Sequence, residues 1–287
     1  MVIGLISYGE EVRTIKVGMI LSNNENPFFQ EMREGAVERA RSAGVLIEVT
    51  TAEDSPVKEL HEIRRFIEEG VDVLILNPTN SHAVARGVIL ANEAKIPVIT
   101  LDRESVRGDV ISHIGSNNLN GGKLLARYMV TELGREAKVV EIEGNIDTTA
   151  SVNRGRGFNQ VAMGNLKIII REDAEFQRDR AYRIMKRLLE EEAVIEGVFA
   201  HNDEMALGVI RAIGESRREN IFVVGYDGTE EALKAIKEGK MAATIKQNPY
   251  EMGYIGVETA VKVVNKEWVN RKIDIGVYLI DKETLTK

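Results

Sequence analysis

Val73-Leu74-Ile75-Leu76-Asn77 is an apolar run that ends on an amide, and Pro97-Val98-Ile99-Thr100-Leu101-Asp102 is a second run that ends on a carboxylate. The pair returns in the second half of the chain as Gly197-Val198-Phe199-Ala200-His201-Asn202 and Phe222-Val223-Val224-Gly225-Tyr226-Asp227. The spacing is the same both times, 25 residues from Asn77 to Asp102 and 25 from Asn202 to Asp227. Each pair brackets a helix-like stretch. An internal repeat sets the architecture before any local feature does. This one implies two similar α/β lobes, each with polar side chains at the carboxyl ends of its strands, which is where open α/β sheets bind ligands. Two such lobes facing each other form a cleft suited to a small polyhydroxylated ligand.

The segments around the repeat alternate in the same way. Lys16 to Leu21 reads as a strand and Pro27 to Ala43 as a helix, with Phe29, Met32, Ala36 and Ala40 at helical spacing. Asn26-Pro27 marks the start of that helix as a cap followed by proline. Strands are expected at 45–50, 71–76, 96–101 and 110–114, and helices at 57–69 and 81–94. In the second half, strands are expected at 138–142, 168–170, 197–200, 221–225 and 242–245. The helices of that half are expected at 150–163, 178–192, 204–215 and 229–238. A helix over 250–265 and a final strand over 275–280 close the chain. Strands separated by helices imply parallel βαβ units.

The 287 residues suffice for two domains of ordinary size, and a hydrophobic content of 44% is ample for two packed cores. The net charge of −7 argues against a nucleic-acid partner, which needs a basic face. With no cysteine there is no disulfide framework and no thiolate nucleophile. The first nine residues are mildly apolar, with neither the basic start of a signal peptide nor the length of a membrane span. Chemical motifs are missing. No Gly-x-Gly-x-x-Gly follows a strand, and Gly121-Gly122-Lys123-Leu124 has Leu where a phosphate loop needs a hydroxyl. The histidines His61, His82, His113 and His201 are scattered without metal-ligand spacing. No catalytic residue, cofactor or metal is expected.

The residues that converge at the strand ends are Ser22, Asn26, Phe28, Phe29, Asn77, Asp102 and Arg103 from the first lobe. The second lobe adds Phe176, Asn202, Asp227 and Gln247. Carboxylates accept hydroxyl protons, guanidinium and amide N–H groups donate to hydroxyl oxygens, and aromatic faces cover the C–H surface of a sugar ring. Plainer readings exist for each. Asn26 can simply cap its helix, Phe29 can be core, Asp102-Arg103 can be a surface ion pair, and Asp227-Gly228-Thr229 can be a turn. Asp203 reads only as a helix-capping signal. The matched spacing of the two Asn/Asp pairs favours the joint reading.

Several stretches together resemble the type I periplasmic sugar-binding proteins, and among them the ribose-binding group. They are Asn26-Pro27-Phe28-Phe29, Asn77-Pro78-Thr79, Ile96-Pro97-Val98-Ile99-Thr100-Leu101-Asp102-Arg103, Asn202-Asp203-Glu204-Met205-Ala206-Leu207-Gly208 and Val223-Val224-Gly225-Tyr226-Asp227-Gly228-Thr229. The resemblance runs from about Lys16 to the C-terminus. It implies two Rossmann-like lobes with parallel sheets joined by a multi-strand hinge. The first lobe would comprise 16–116 with 248–276, the second 117–247 with 277–287, and 1–15 would be an N-terminal extension. It further implies a monomeric receptor on the periplasmic or extracellular face of the membrane. That receptor would hand a sugar or polyol to the permease of an ABC importer, with a chemoreceptor as a further partner. The eleven residues above fall on the family's ligand contacts.

One contact fails to carry over. The family has an arginine two residues before the arginine of its Arg-x-Gly-Phe stretch, and anchoring on Arg154-Gly155-Arg156-Gly157-Phe158 puts Val152 there. The pocket is therefore expected to be less polar on that side and to bind ribose weakly, unless Asn153 or Arg154 compensates. The competing function is the effector domain of a sugar-responsive repressor. Residues 1–15 are too short for the helix-turn-helix headpiece that this requires. An enzyme using the cleft acids has no positive support, since fold alone licenses no chemistry.

Overall fold

A computed structural model describes residues 13–191, 194–216, 218 and 220–286. The first twelve residues, for which an extension was expected, lie outside it, as does Glu192 at the end of the expected 178–192 helix. Elements alternate in chain order: β1 (Lys16–Leu21), α1 (Pro27–Ala43), β2 (Leu46–Thr51), α2 (Pro56–Glu68), β3 (Val73–Leu76), α3 (Ala85–Glu93), β4 (Val98–Leu101) and β5 (Ser112–Ser116). Then come α4 (Asn118–Leu133), β6 (Lys138–Glu143), α5 (Thr149–Ala162), β7 (Lys167–Asp173), α6 (Arg178–Glu190), β8 (Gly197–Ala200), α7 (Asp203–Gly214), β9 (Phe222–Asp227), α8 (Glu230–Lys237) and β10 (Ala243–Lys246). The chain ends with α9 (Pro249–Val264), β11 (Lys272–Ile275) and β12 (Tyr278–Asp281).

Two six-stranded sheets result, ordered β11-β5-β4-β3-β1-β2 and β12-β10-β9-β8-β6-β7. The orders superpose strand for strand, so β3 and β4 correspond to β8 and β9. The 25-residue repeat is thus the step between neighbouring parallel strands in each lobe. Every residue of β3, β4 and β8 is buried, as expected for parallel strands with helices on both faces. Alternate residues feed opposite cores. Met19 and Ile75 pack with Phe29 on one face, while Ile20 and Leu74 pack with Phe66 on the other. The edge strands β2 and β7 are only partly covered.

The chain passes between sheets after β5, after β10 and between β11 and β12. The tail expected as one strand over 275–280 is therefore two short ones. Ile273 and Ile275 pack into the first core, and Val277 and Leu279 into the second. β11 runs parallel to β5, whereas β12 runs antiparallel to β10. Helix α4 is absent from the sequence reading because Gly121-Gly122 interrupts its apolar face. Those glycines are where the backbone of α5 passes: a Cβ on Gly122 would lie 2.2 Å from Arg154 O.

Candidate functional site

The Asn of each repeat is a positioning group. Asn77 is fully buried. Its Oδ1 accepts from Ser22 N at 3.1 Å and Ser22 Oγ at 2.8 Å, while its Nδ2 donates to Leu101 O at 3.2 Å and Asp102 Oδ2 at 3.4 Å. It ties three strand ends together and orients the carboxylate of Asp102. Asn202 caps α7, its Oδ1 accepting from Met205 N at 2.9 Å, and its Nδ2 reaches Phe176 O at 3.4 Å. Asn26 caps α1 in the same way through Phe28 N at 2.9 Å, so its capping reading holds.

The Asp of each repeat lies at the carboxyl end of its strand, where the backbone turns to positive φ. Asp102 has φ 61° and Asp227 has φ 128°, and Phe176 across the cleft has φ 61°. Non-glycine residues held at positive φ cost about 1–3 kcal/mol each and concentrate at binding sites. Here the turns aim both carboxylates at one small cavity between the lobes.

Of the sequence-expected residues, Asn26, Phe28, Phe29, Asp102, Arg103, Phe176, Asn202 and Asp227 line that cavity. Ser22, Asn77 and Gln247 stand behind it. Gln247 Nε2 donates to Asp227 Oδ1 at 2.7 Å and steadies it as Asn77 steadies Asp102. The Arg103 guanidinium, 5% exposed, is wedged between the rings of Phe29 and Phe176 at 5.4 and 5.3 Å. Its Nη1 donates to Pro78 O at 3.0 Å. Asp102-Arg103 is therefore not a surface ion pair.

The expectation for Val152 is overturned. Val152 is 53% exposed and does not line the cavity, whereas Arg154 is 3% exposed and does. The reason is helical phase. On α5 the residues Ala150, Arg154 and Phe158 fall four apart on one face, and Val152 lies about 200° round from Ala150. Arg154 is thus the compensating donor that the sequence left open beside Asn153, and Ala150 is the lining residue it missed. Arg154 Nη1 donates to His201 O at 2.6 Å and its Nε to Asn118 Oδ1 at 2.8 Å. Its guanidinium lies 3.8 Å from the Tyr226 ring centroid and 3.6 Å from Asp227 Oδ1.

Asp203 also differs from expectation. It is fully buried, and its Oδ2 accepts from Gly228 N and Thr229 N, both at 2.8 Å, while Oδ1 accepts from Thr244 Oγ1 at 2.6 Å. It anchors the turn after Asp227 rather than capping α7. Burial pushes the carboxyls of Asp203 and Asp227 up from their ordinary pKa, and the Arg154 guanidinium opposes the rise at Asp227. Burial likewise pulls Arg103 down, against the pull of Asp102.

The charged groups lining the cavity are Asp102, Asp227, Arg103 and Arg154, which balance. Three buried polar atoms at this site have no hydrogen-bond partner: Asp102 Oδ1, Arg103 Nε and Gln247 Oε1. Each such atom costs about 1–3 kcal/mol. Acceptors and a donor left unmade between balanced charges suit a neutral ligand rich in hydroxyls, because a hydroxyl both donates and accepts. Among the described residues no group of three or more His, Cys, Asp or Glu could hold a metal ion, and no helix is long and apolar enough to cross a membrane.

A model of the periplasmic binding protein domain family matches residues 17–267. The ribose import binding protein of Salmonella typhimurium is 41% identical over 268 residues, covering 93% of this chain and 90% of its own. Among solved structures, an ABC transporter solute-binding protein from Mycobacterium smegmatis with bound glycerol has a TM-score of 0.91 at 29% identity, covering 96% of each chain. A Caulobacter myo-inositol-binding protein bound to myo-inositol has a TM-score of 0.90 at 27% identity, covering 99% of this chain and 97% of that one.

Proposed function

The chain belongs to the periplasmic binding protein family, and from that premise we propose that it is a sugar receptor of an ABC importer. It captures one pentose-sized sugar, D-ribose or an isomer, between its lobes and delivers it to the permease. The ligand contacts are Asn26, Phe28, Phe29, Asp102, Arg103, Arg154, Phe176, Asn202 and Asp227, with Ser22, Asn77 and Gln247 holding them from behind. The observation that carries the reading is the set of unmade hydrogen bonds at Asp102, Arg103 and Gln247 around a cavity whose charges cancel. The import role of the 41%-identical relative supports transport over the effector domain of a repressor. The place of action is the periplasm or the outer face of the cell membrane. The receptor acts as a monomer, its lobes 16–116 with 248–276 and 117–247 with 277–287 hinging at the strand crossovers, and a chemoreceptor is a second partner for the closed form. No step of chemistry is assigned to it.

Titration calorimetry against a panel of pentoses, hexoses and polyols tests the reading. One neutral monosaccharide should bind with a stoichiometry of one. Asp102→Ala and Asp227→Ala should each weaken it by about 1.5–3 kcal/mol, the scale of a hydrogen bond to a charged group. Binding that survives both changes in folded protein would exclude this cavity as the site.

A further inference from the structure

A cluster of hydrogen bonds joins the lobes without touching the cavity. On the first lobe it uses the loops that follow β3 and β4, and on the second the loop before α5 and the first turn of that helix. Asn80 Nδ2 donates to Asp147 Oδ2 at 3.0 Å and Ser81 N to Asp147 O at 2.9 Å. Thr149 N donates to Ser81 Oγ at 3.1 Å, and Glu104 N donates to Thr149 Oγ1 at 2.9 Å. None of these residues lines the cavity.

Both halves of the cluster are built before they meet. Asn80 Oδ1 accepts from His82 N and Ala83 N at 2.9 and 2.8 Å, which shapes the first loop from within. That loop is also pinned to its own lobe, because Thr79 N donates to buried Glu59 Oε1 at 2.9 Å. On the other side Asn145 Oδ1 accepts from Asp147 N at 2.9 Å, and Thr148 Oγ1 donates to Asn145 O at 2.7 Å. Groups already ordered lose little conformational freedom when they engage. The cluster is also next to the cavity in sequence. Glu104 follows Arg103, and Thr149 precedes Ala150 on the helix that carries Arg154.

We propose that Ser81, Asp147 and Thr149 form a latch that sets ligand affinity from outside the cavity by holding the lobes closed. The proposal rests on the reading of the cleft as a ligand site. A ligand that binds the closed form has an apparent affinity proportional to the closed fraction. A latch therefore strengthens binding of every ligand the cavity accepts and leaves the ranking among them unchanged. A residue touching the ligand would change both.

The test is the triple variant Ser81→Ala/Asp147→Ala/Thr149→Val, which removes the side-chain partners and keeps the shape at Thr149. The chain has no cysteine, so a labelled pair can be introduced cleanly at Val57→Cys and Met163→Cys, positions that are 81% and 82% exposed. Distances measured by double electron–electron resonance without sugar should shift from the closed value toward longer ones in the latch variant. With D-ribose and D-arabinose as probes, each measurable affinity should fall about tenfold or more through faster dissociation, on the scale of a few hydrogen bonds. Their ratio should stay fixed. Coincident distance distributions in parent and variant would overturn the latch, as would a ratio that moves with the affinity. If neither sugar binds the parent, that counts against the ligand reading, and the sugar-free distances still decide the latch.

Discussion

At the residue scale, Arg154 carries the largest revision. Its guanidinium is held through Nη1 by His201 O, through Nε by Asn118 Oδ1 and against the Tyr226 face, so it is fixed before any ligand arrives. His201 is itself held, with Ser151 Oγ 3.0 Å from Nδ1 and Glu141 Oε1 3.2 Å from Nε2, and its burial lowers its pKa, which favours the neutral ring. A donor fixed this way loses little freedom on binding and discriminates by hydroxyl position. Arg154→Met should weaken sugar binding by about 1.5–3 kcal/mol, roughly 10–150-fold. Val152→Arg, on the exposed side of the same helix, should stay within about 0.5 kcal/mol of wild type. Calorimetry on both variants settles the assignment, and stronger binding by Val152→Arg would return Val152 to the pocket.

At the element scale, paired helices in each lobe approach through glycine. A Cβ on Gly35 of α1 would fall 2.0 Å from Tyr250 O, and one on Gly253 of α9 would fall 1.9 Å from Met32 O. The α4–α5 pair repeats this, with Gly122 against Arg154 O at 2.2 Å and Gly157 against Leu119 O at 2.0 Å. Backbone cannot retreat as a side-chain tip can, so any side chain there forces the helices apart. In the second lobe the displaced backbone is that of Arg154. Gly122→Ala should therefore cost about 1–3 kcal/mol of stability, the range for overpacking, and should also weaken sugar binding. Gly164, with φ 75° and open space around its Cβ position, is a matched control. Gly164→Ala should lose stability through backbone strain and keep its affinity. Urea melts and calorimetry on the two variants separate the effects. Full affinity in a destabilised Gly122→Ala would show that the α4–α5 contact does not position Arg154.

At the scale of the whole molecule, each lobe hides a carboxyl behind its ligand-facing loops, Asp203 in the second and Glu59 in the first. Glu59 is 1% exposed and accepts from Thr79 N and Thr79 Oγ1 at 2.9 and 3.2 Å. Burial pushes its pKa up to about 7, opposed by those hydrogen bonds and by the Arg103 charge, and aided slightly by Asp54. The folded state thus holds a proton that the unfolded chain releases near pH 4.5. This contribution to stability is fully present below about pH 4.5 and is lost as pH rises to about 7. Glu59→Gln keeps an acceptor for Thr79 N–H and does not titrate. Relative to that variant, wild type should lose up to about 3 kcal/mol between those pH values. Urea unfolding of both proteins at several pH values measures the difference. A difference independent of pH would mean that Glu59 is ionised throughout.

The sequence alone determined the doubly repeated α/β architecture, because burial on both faces of parallel strands writes continuous apolar runs and each run ends on a polar residue at the strand's carboxyl end. Asn77, Asp102, Asn202 and Asp227 were legible for that reason, and capped helix starts such as Asn26-Pro27 were legible from local chemistry. Helix α4 was not, because its glycines serve a contact with α5 that no local pattern encodes. The split of the tail into β11 and β12 was hidden too, since consecutive apolar residues there serve different cores. The tertiary structure decided which polar groups face the cavity and which stand behind it. Ser22 and Asn77 spend their hydrogen bonds on orienting neighbours and Gln247 spends its Nε2 on Asp227, while Arg154 reaches the cavity because α5 turns that face inward against α4 and Tyr226. Residue type states what a side chain can donate or accept. Only packing between distant segments fixes which of those capacities remains for a ligand.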